Sequence, residues 1–482
     1  MTRRSACYGA LFCASLAILL GRWLVPVPVG AADNGDGWRL LCRLGGNQAD
    51  RVSEDWVQMS YAPSPTCSST YVSSQHWLNR AAQWIGQLLG DGAALNLYIV
   101  GVIACVLAAT AVTLVAAGLP LTTGGRLGGA LLVLLVLADS AIFGWFVSVL
   151  SEGAAFLGIG LTVAGLLHLQ RAGRYRWIGA VVTFAGAMIA VNAKAQTLLL
   201  LPLLGVALVL TRTFGRTLLR RWLLPVGVLV AVTAGTVLVQ NSGTAAGGDF
   251  AQMNAYHVTF VKIVRPEHAA ADLRELGLPS AFARYQGTTW WGEAPAAYTD
   301  PLWPRYQHLV SRRAVIRYYA THPDRAIEVL HQGATDLLTA RPDNIGSYPE
   351  NSGRPALEQE FRVPVLSGVA RLLAPLGLFA LVPLWALTAL AAALSWQRAR
   401  PVAVVTGFLV LAAVEQHAVA SLAEGIEGVK HQVIALFCTF LGAAFGVLAV
   451  AGRRRAASPA GPPAPQAVPV EEPSQGQAAP HP

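Results

Sequence analysis

Residues 93–118 read AALNLYIVGVIACVLAATAVTLVAAG, a stretch without a charged side chain. A run of about 18 or more apolar residues is long enough to cross the hydrocarbon core of a bilayer as a helix. The composition of the whole chain agrees, because 54% of its 482 residues are hydrophobic and only 13% are charged, against roughly 25% in soluble proteins. These values exclude an ordinary soluble enzyme, a disordered protein and a coiled coil.

Hydropathy predicts ten spans, so we expect an all-α polytopic protein of the cell membrane with about ten transmembrane helices. The predicted spans are residues 8–25, 93–118, 127–140, 151–169, 177–192, 196–210, 222–240, 371–394, 402–418 and 432–451.

Two long segments between spans divide the chain into modules. We expect an N-terminal transmembrane module at 1–240, with spans one to seven and an external loop at 26–92. Residues 241–370 follow as an extracytoplasmic cap, which is predicted to be mostly helical because Ala269–Leu276, Tyr306–Thr321 and Arg325–Thr339 have helical apolar spacing. A C-terminal transmembrane module at 371–452, with spans eight to ten, and a disordered cytoplasmic tail at 453–482 complete the prediction.

The net charge of +9 follows from topology and does not indicate a nucleic-acid partner. Short segments between alternate spans hold Arg3, Arg4, Arg126, Arg171, Arg174, Arg176, Arg212, Arg216, Arg220, Arg221, Arg398, Arg400, Arg453, Arg454 and Arg455. By the positive-inside rule these segments are cytoplasmic. Of the 26 acidic residues, only Glu471 and Glu472 lie in these predicted cytoplasmic segments.

The six cysteines separate in the same way. Cys7, Cys13, Cys105 and Cys438 lie within or beside spans, and Cys42 and Cys67 share the first external loop. External loops face an oxidising compartment. We therefore predict a Cys42–Cys67 disulfide; the alternative is two unpaired thiols.

The N-terminus has two interpretations. Met1-Thr-Arg-Arg followed by an apolar run and Val29-Gly-Ala-Ala fits a cleaved signal peptide. Arg22, Trp23 and two prolines interrupt the usual approach to a cleavage site, which favours a retained first helix.

Polar side chains gather at one edge of the predicted bilayer. They are Asp36, Asp139, Glu152, Lys194, Glu424, Glu427, Lys430 and His431, and every one of them lies on the predicted outer side. Ionisable groups at this depth are costly and are usually functional or paired. A carboxylate can act as general base on a hydroxyl, and Lys and His can stabilise the phosphate of a leaving group. The mixture predicts transfer of a group from a lipid phosphate to a hydroxyl.

Four motifs, in order, carry a resemblance to a known class of enzyme. They are Asn34-Gly-Asp36-x-x-Arg39, the segment from Ala138 to Glu152 with its acid, aromatics and Ser-x-x-Ser-Glu ending, Asn192-Ala-Lys194-Ala-Gln196, and Glu427-x-x-Lys430-His431. Together they resemble GT-C type membrane glycosyltransferases, and in particular the bacterial WsfD-like hexose transferases of surface-glycan biosynthesis. The chain departs from that pattern at Val149 and Leu150, where Tyr is common, and at Gly153, where Pro is common.

The resemblance implies an external active site, a polyprenyl-phosphate sugar donor that enters from the lipid, and a glycan, lipid or protein acceptor outside. Asp36 takes the position of an essential first-loop carboxylate and is the expected general base. Asp139 and Glu152 would orient the acceptor or the base. Lys194, Lys430 and His431 would hold the donor phosphate, with Arg39, Gln196 and Glu427 in support. No metal ligand is assigned and no cofactor is required, although a divalent cation is compatible with several carboxylates.

Each assignment has a structural alternative. Asn-Gly-Asp-Gly around Asp36 is a turn signal, and Glu54 and Asp55 compete for its role. Asp139 and Glu152 suit helix capping, and the aromatic segment between them suits an amphipathic helix along the membrane interface. Lys194 could snorkel to the headgroups. The aromatic stretch Tyr285, Trp290, Trp291, Tyr298, Trp303 and Tyr306 suits either sugar contact or an interfacial belt or cap core.

Two other functions use the same residue types. A transporter or flippase of lipid-linked sugars would line its path with such charges, but near the bilayer midplane. A non-enzymatic envelope protein would bind a partner through the cap and would not depend on Asp36.

Overall fold

The computed structural model describes residues 3–33, 35–45, 55–63, 69–211, 218–242 and 248–457. The protein is mainly helical, with only two short pairs of strands in this part of the chain. The predicted all-α membrane fold is confirmed.

All ten predicted spans are helices. In chain order they are Arg3–Leu24, Leu97–Gly118, Thr123–Ala138, Glu152–Leu169, Tyr175–Val191, Leu200–Leu210, Leu218–Asn241, Leu378–Ser395, Arg400–Leu422 and Gly428–Ala457. Seven helices in the described ranges are long and apolar enough to cross a membrane. Spans three, five and six are shorter apolar helices, and span six is preceded by a 3-10 turn at Ala195–Leu199.

Spans four and five form the tightest packing in the membrane region. At Gly158 and Gly165 of span four, and at Gly179 and Gly186 of span five, an added Cβ would collide with the backbone of the other helix. Small residues at such positions let two membrane helices approach closely. Span four is completely buried, so its first residue, Glu152, is enclosed by protein at one end of the helix bundle.

The first external loop contains helices Trp38–Arg43 and Gln75–Leu88, the second of which has one apolar face that the sequence analysis missed. Strand Gly30–Ala31 pairs antiparallel with Ile345–Ser347, and Ser60–Tyr61 pairs with Leu95–Asn96. The first pair ties this loop to the end of the cap. Cys42 is disulfide-bonded, whereas Cys7, Cys13, Cys105 and Cys438 are free. Cys67, the predicted partner of Cys42, lies outside the described residues.

The cap is helical, with the residues around Tyr256, Phe260 and Phe282 as its own hydrophobic core. Its elements are Gly248–His257, the π-helical turn Val258–Ile263, Ala269–Glu275, Ser280–Tyr285, Ala297–Thr299, Trp303–Tyr306, Gln307–Leu309, Arg312–Thr321, Pro323–Thr339, Glu350–Ser352, Val365–Leu373 and Ala374–Leu376. The predicted helix 306–321 is divided, because the Ser311 side chain accepts a hydrogen bond from the N–H of Ala314 and starts a new helix.

The structure also corrects one predicted boundary and decides against one structural alternative. Span eight begins at Leu378 and not at 371, because Pro375 and Gly377 separate it from helix Val365–Leu373. The aromatic segment between Asp139 and Glu152 is not an amphipathic helix at the membrane interface. Phe143, Trp145 and Phe146 are buried in a short 3-10 turn, and irregular backbone at membrane depth is tolerated when protein surrounds it.

Candidate active site

One cavity collects most of the predicted site residues. It has a volume of about 140 Å³. Its lining includes Asp36, Arg39, Tyr71, Glu152, Lys194, Gln196, Phe250, Asn254, His257, Trp291, Glu424, Glu427, Lys430 and His431. These residues come from the first external loop, the turns at the ends of spans, and the cap. Eight of the nine residues expected to act on donor or acceptor therefore meet at one place.

The cavity lies at the helix ends opposite the arginine-rich turns. Span four runs from Glu152 to a turn with Arg171, and span five runs from Tyr175, next to Arg174, toward Lys194. Spans nine and ten repeat this arrangement: Arg400 begins span nine, which ends before Glu424, and Lys430 stands at the start of span ten, which carries Arg453 near its other end. The separation of charge that the sequence predicts is thus built into each of these four helices.

Asp36 is presented to the cavity by a turn that a different carboxylate stabilises. Asp33 Oδ1 accepts hydrogen bonds from the N–H groups of Gly35, at 3.0 Å, and Gly37, at 2.9 Å. A Cβ at Gly37 would collide with Val149 and with Asp33, so the close approach needs glycine. The side chain that stabilises the turn is therefore Asp33, and not Asp36 as the structural alternative proposed. Asn34 and the competitor Glu54 lie outside the described residues, and Asp55 does not line the cavity.

Two cations hold the carboxylate of Asp36. Its Oδ2 accepts a hydrogen bond from Lys430 Nζ, and its Oδ1 lies 3.4 Å from Arg39 Nη2. Burial by itself would raise the pKa of Asp36, but Lys430, together with Arg39, outweighs burial and lowers the pKa below its ordinary value. Asp36 is therefore ionised and tightly paired.

Glu427 completes the group around Lys430. Its Oε2 lies 3.3 Å from Lys430 Nζ. The backbone of Glu427 has a φ of 52°, in the left-handed region that non-glycine residues rarely adopt. Such conformations are found where surrounding contacts hold them, commonly at functional sites.

A second ion pair extends deeper into the cavity. Lys194 Nζ donates to Glu152 Oε1 at 2.9 Å and to His431 Nδ1 at 3.4 Å. Burial lowers the pKa of Lys194, but the carboxylate of Glu152 more than offsets this effect and raises the pKa above its ordinary value. Lys194 is therefore a permanent cation within the protein and does not snorkel to the headgroups.

Gln196 supports the histidine from behind. Its Nε2 donates to the backbone oxygens of His431 and Gln416, each at 3.3 Å. On the other side of the imidazole, His431 Nε2 lies 3.9 Å from Glu424 Oε2. Burial is the main cause that raises the pKa of Glu424 above its ordinary value, against the nearby cations Lys194, Arg312 and Lys262.

Asp139 is the predicted site residue that the structure does not bring into the cavity. Its carboxylate is buried and accepts hydrogen bonds from the N–H groups of Ala141, Leu366 and Ser367 at 2.8–3.2 Å. Leu366 and Ser367 are in the first turn of helix Val365–Leu373. These contacts indicate the capping role that the sequence left open as the alternative, in this case for a helix far away in the chain.

Several lining residues were not predicted. His257 is one of them: it is buried in the cavity wall, where its Nε2 accepts a hydrogen bond from the N–H of Trp290 at 2.8 Å. Burial lowers the pKa of His257 to about 4, so the ring is neutral. Trp291 alone of the predicted aromatic stretch lines the cavity. The sequence does not separate Trp291 from the adjacent Trp290, which packs against the cap core.

In the described ranges, no three His, Cys, Asp or Glu side chains are grouped closely enough to hold a metal ion. Three carboxylates of the cavity, those of Asp36, Glu152 and Glu427, instead pair with Lys or Arg. A phosphate can bind to the cations of these ion pairs, and a hydroxyl can donate a hydrogen bond to their carboxylates.

Residues 5–428 match the model of the YfdI N-terminal transmembrane domain. This chain belongs to the YfdI N-terminal transmembrane domain family. Neither curated proteins nor solved structures gave a match.

The YfdI match covers spans one to nine, both external segments and most of the cavity, including Asp36, Glu152, Lys194 and Glu424. It ends at Gly428, the first residue of span ten, so Lys430 and His431 lie just beyond it. The YfdI family is a GT-C-like membrane glycosyltransferase family, which agrees with the broader of the two resemblances drawn from the motifs.

Proposed function

We propose that this protein is a membrane glycosyltransferase that moves a sugar from a polyprenyl-phosphate donor to a hydroxyl group of an extracytoplasmic glycan, lipid or protein. The observation that carries the proposal is the meeting of Lys194, Lys430 and Arg39 with several carboxylates in one cavity at the ends of the spans. Family membership supports the same reaction class. The closer likeness to WsfD-like hexose transferases is part of the proposal.

In this reaction the cations bind the charge that develops on the leaving phosphate. Lys194 and Lys430 are nearly enclosed, with 11% and 5% of their side chains exposed. Electrostatic stabilisation is strongest in such a site, because little water screens it. Glu152 and Glu427 keep the two ammonium groups charged and in position, and Gln196 fixes the backbone of His431.

The proposed active face is extracytoplasmic. The arginine-rich turns lie at the other ends of the same spans, and the positive-inside rule assigns those turns to the cytoplasm. The lipid donor would therefore reach the cavity from the outer leaflet, so membrane lipids are the surroundings of the site and nucleic acid is not a partner. The proposed reaction needs no cofactor; a divalent cation that accompanies the donor phosphate is compatible with it.

The acceptor hydroxyl must lose its proton to a base within hydrogen-bond reach. Two carboxylates of the cavity are candidates: Asp36, which the sequence analysis favoured, and Glu424. The proposed function requires that one of them accepts the proton.

The test uses purified full-length protein and polyprenyl-phosphate donors that carry radiolabelled hexoses. Wild-type protein is expected to release or transfer the label, and Asp36→Asn and Lys194→Ala are expected to lose this activity by two or more orders of magnitude. Glu293→Gln, an exposed cap residue outside the cavity, is the matched control.

Three results would contradict the proposal. Unaltered release in both cavity variants would remove the site assignment. Movement of intact lipid-linked sugar across a reconstituted bilayer without cleavage would indicate a flippase. Absence of both cleavage and movement across a panel of hexose donors would favour a binding protein of the envelope.

A further inference from the structure

We propose that Glu424 is the general base of the transfer and that Asp36 is a positioning residue, which holds Lys430 for the donor phosphate. This inference rests on the proposed function. It departs from the expectation drawn from the sequence, and it follows from how the two carboxylates are used in the folded protein.

The carboxylate of Asp36 is held in two ion pairs. One oxygen accepts the hydrogen bond of Lys430, and the other faces Arg39. The guanidinium of Arg39 is itself fixed, with its carbon 4.2 Å from the centre of the Phe250 ring. A base must accept a proton through a lone pair that is free or easily freed. Both oxygens of Asp36 keep a lone pair, but uptake of a proton would remove the negative charge that pairs with Lys430 and Arg39.

Glu424 has the opposite situation. It lines the same cavity, and 17% of its side chain is exposed. Within the part of the chain that the structure describes, its carboxylate makes no hydrogen bond, and His431 Nε2, at 3.9 Å from Oε2, is too distant for one. Its oxygens therefore face the cavity with their lone pairs available to a ligand.

The histidine beside Glu424 is in a defined tautomer. Lys194 Nζ has no acceptor lone pair when charged, so His431 Nδ1 accepts its hydrogen bond. The hydrogen of a neutral imidazole is then on Nε2, the atom that faces Glu424. An oxygen atom of a ligand, placed beside the 3.9 Å line from His431 Nε2 to Glu424 Oε2, is within hydrogen-bond distance of both atoms. A hydroxyl placed there accepts from His431 and donates to Glu424.

The chemical step then balances. The acceptor oxygen forms a bond to the anomeric carbon of the donor sugar, and the bond from that carbon to the phosphate oxygen breaks. The electron pair leaves with the polyprenyl phosphate, next to Lys194 and Lys430. The hydroxyl proton moves to Glu424 and from there to water at the mouth of the cavity.

The surroundings of Glu424 also suit a base. The charged groups that face it are Lys194, Arg312 and Lys262, with Glu427 as the nearby acid and His431 as the titratable neighbour. Burial outweighs the cations and raises the pKa of Glu424, whereas Lys430 and Arg39 lower the pKa of Asp36. A base is more effective when its pKa approaches the working pH.

The experiment compares Glu424→Gln, Asp36→Asn and wild-type protein in the labelled-donor assay across a range of pH. Wild-type activity is expected to fall at acidic pH around a pKa higher than the 4.3 or so of an ordinary glutamate. Glu424→Gln is expected to lose about 10²–10⁴-fold in kcat, to retain donor binding, and to lose this acidic limb. Asp36→Asn should keep the limb and weaken donor binding. Glu424→Asp should recover part of the rate together with the limb.

Glu267→Gln, an exposed cap carboxylate that does not line the cavity, is the control and should behave as wild type. The inference is overturned if active wild-type protein has its acidic limb below pH 4, or if the limb persists in Glu424→Gln and disappears in Asp36→Asn. A wild-type protein that transfers no sugar would instead contradict the proposed function, so the two failures are distinguishable. If Glu424→Gln still binds the donor, the variant is folded, and its loss of activity is a loss of the chemical step.

Discussion

Arg22 and Glu360 form an ion pair although 338 residues separate them in the chain, and both side chains are buried. Arg22 is near the end of span one, and Glu360 comes after the cap. A second guanidinium, that of Arg341, lies 3.4 Å from the same carboxylate. This pair joins span one to the segment that leads into span eight, and it explains why an arginine is tolerated there.

Replacement of Glu360 should destabilise the protein strongly. Glu360→Ala leaves two buried guanidinium groups without their carboxylate, and loss of one partner of a buried pair costs about 3–5 kcal/mol. Thermal unfolding in detergent measures the effect. Glu358→Ala, which removes a half-exposed carboxylate paired with Arg354, is the control and should change stability by no more than about 1 kcal/mol. Equal effects of the two substitutions would contradict this role of Glu360.

The turn that carries Asp36 should tolerate no side chain at Gly37. Gly37→Ala brings a Cβ against Val149 and the Asp33 carboxylate, and so displaces Asp36. Asp36 holds Lys430 for the donor phosphate, and a displacement of about 1 Å in such a site can cost on the order of 10² in rate. The measurement is sugar transfer by folded protein, with Gly92→Ala, at an open position of the same loop, as the control. Full activity of Gly37→Ala would show that the turn adapts.

Glu152 should control the alkaline side of the pH profile. The pKa of Lys194 is raised by Glu152 against the effect of burial. In wild-type protein Lys194 stays charged throughout the working range. In Glu152→Gln burial is opposed only by the smaller effects of Glu424 and Tyr71, so the pKa of Lys194 falls and activity should be lost at a lower alkaline pH. Rate against pH measures the shift, and an unchanged alkaline limb would contradict it; Glu350→Gln, on the exposed surface, should leave the profile unchanged.

Trp291 is expected to bind sugar at the cavity mouth. Its ring is 59% exposed and lies 5.4 Å from the His257 ring, between ring centres. Stacking of this kind contributes about 1 kcal/mol. Trp291→Ala should therefore raise KM by several-fold to about 10-fold, with a smaller change in Trp291→Phe. Trp84→Ala, which removes a tryptophan with similar exposure away from the cavity, is the control. An unchanged KM would favour the interfacial belt.

Part of the site could be predicted from the sequence, because the free-energy cost of an ionisable side chain in a membrane depends on the residues next to it in the chain. An ionisable residue beside an apolar run is unfavourable wherever the run folds, so Glu152, Lys194 and Lys430 were recognisable from composition. Asp139 met the same criterion, and the structure uses it to cap a helix that begins at Val365. The local sequence does not distinguish a residue that lines the cavity from one that caps a helix, since the N–H groups that Asp139 caps belong to a distant segment.

The sequence by itself determined the membrane class, the order of the ten helices and the common end of the helices at which the ionisable groups lie, because these depend on the hydropathy and charge of contiguous residues. Only the tertiary structure decided which charges meet. Lys430 pairs with Asp36 across 394 residues, while Glu424 faces the cavity without such a partner. The physical reason is that hydrogen bonds and ion pairs act over a few ångströms in space, and folding sets those distances independently of separation along the chain.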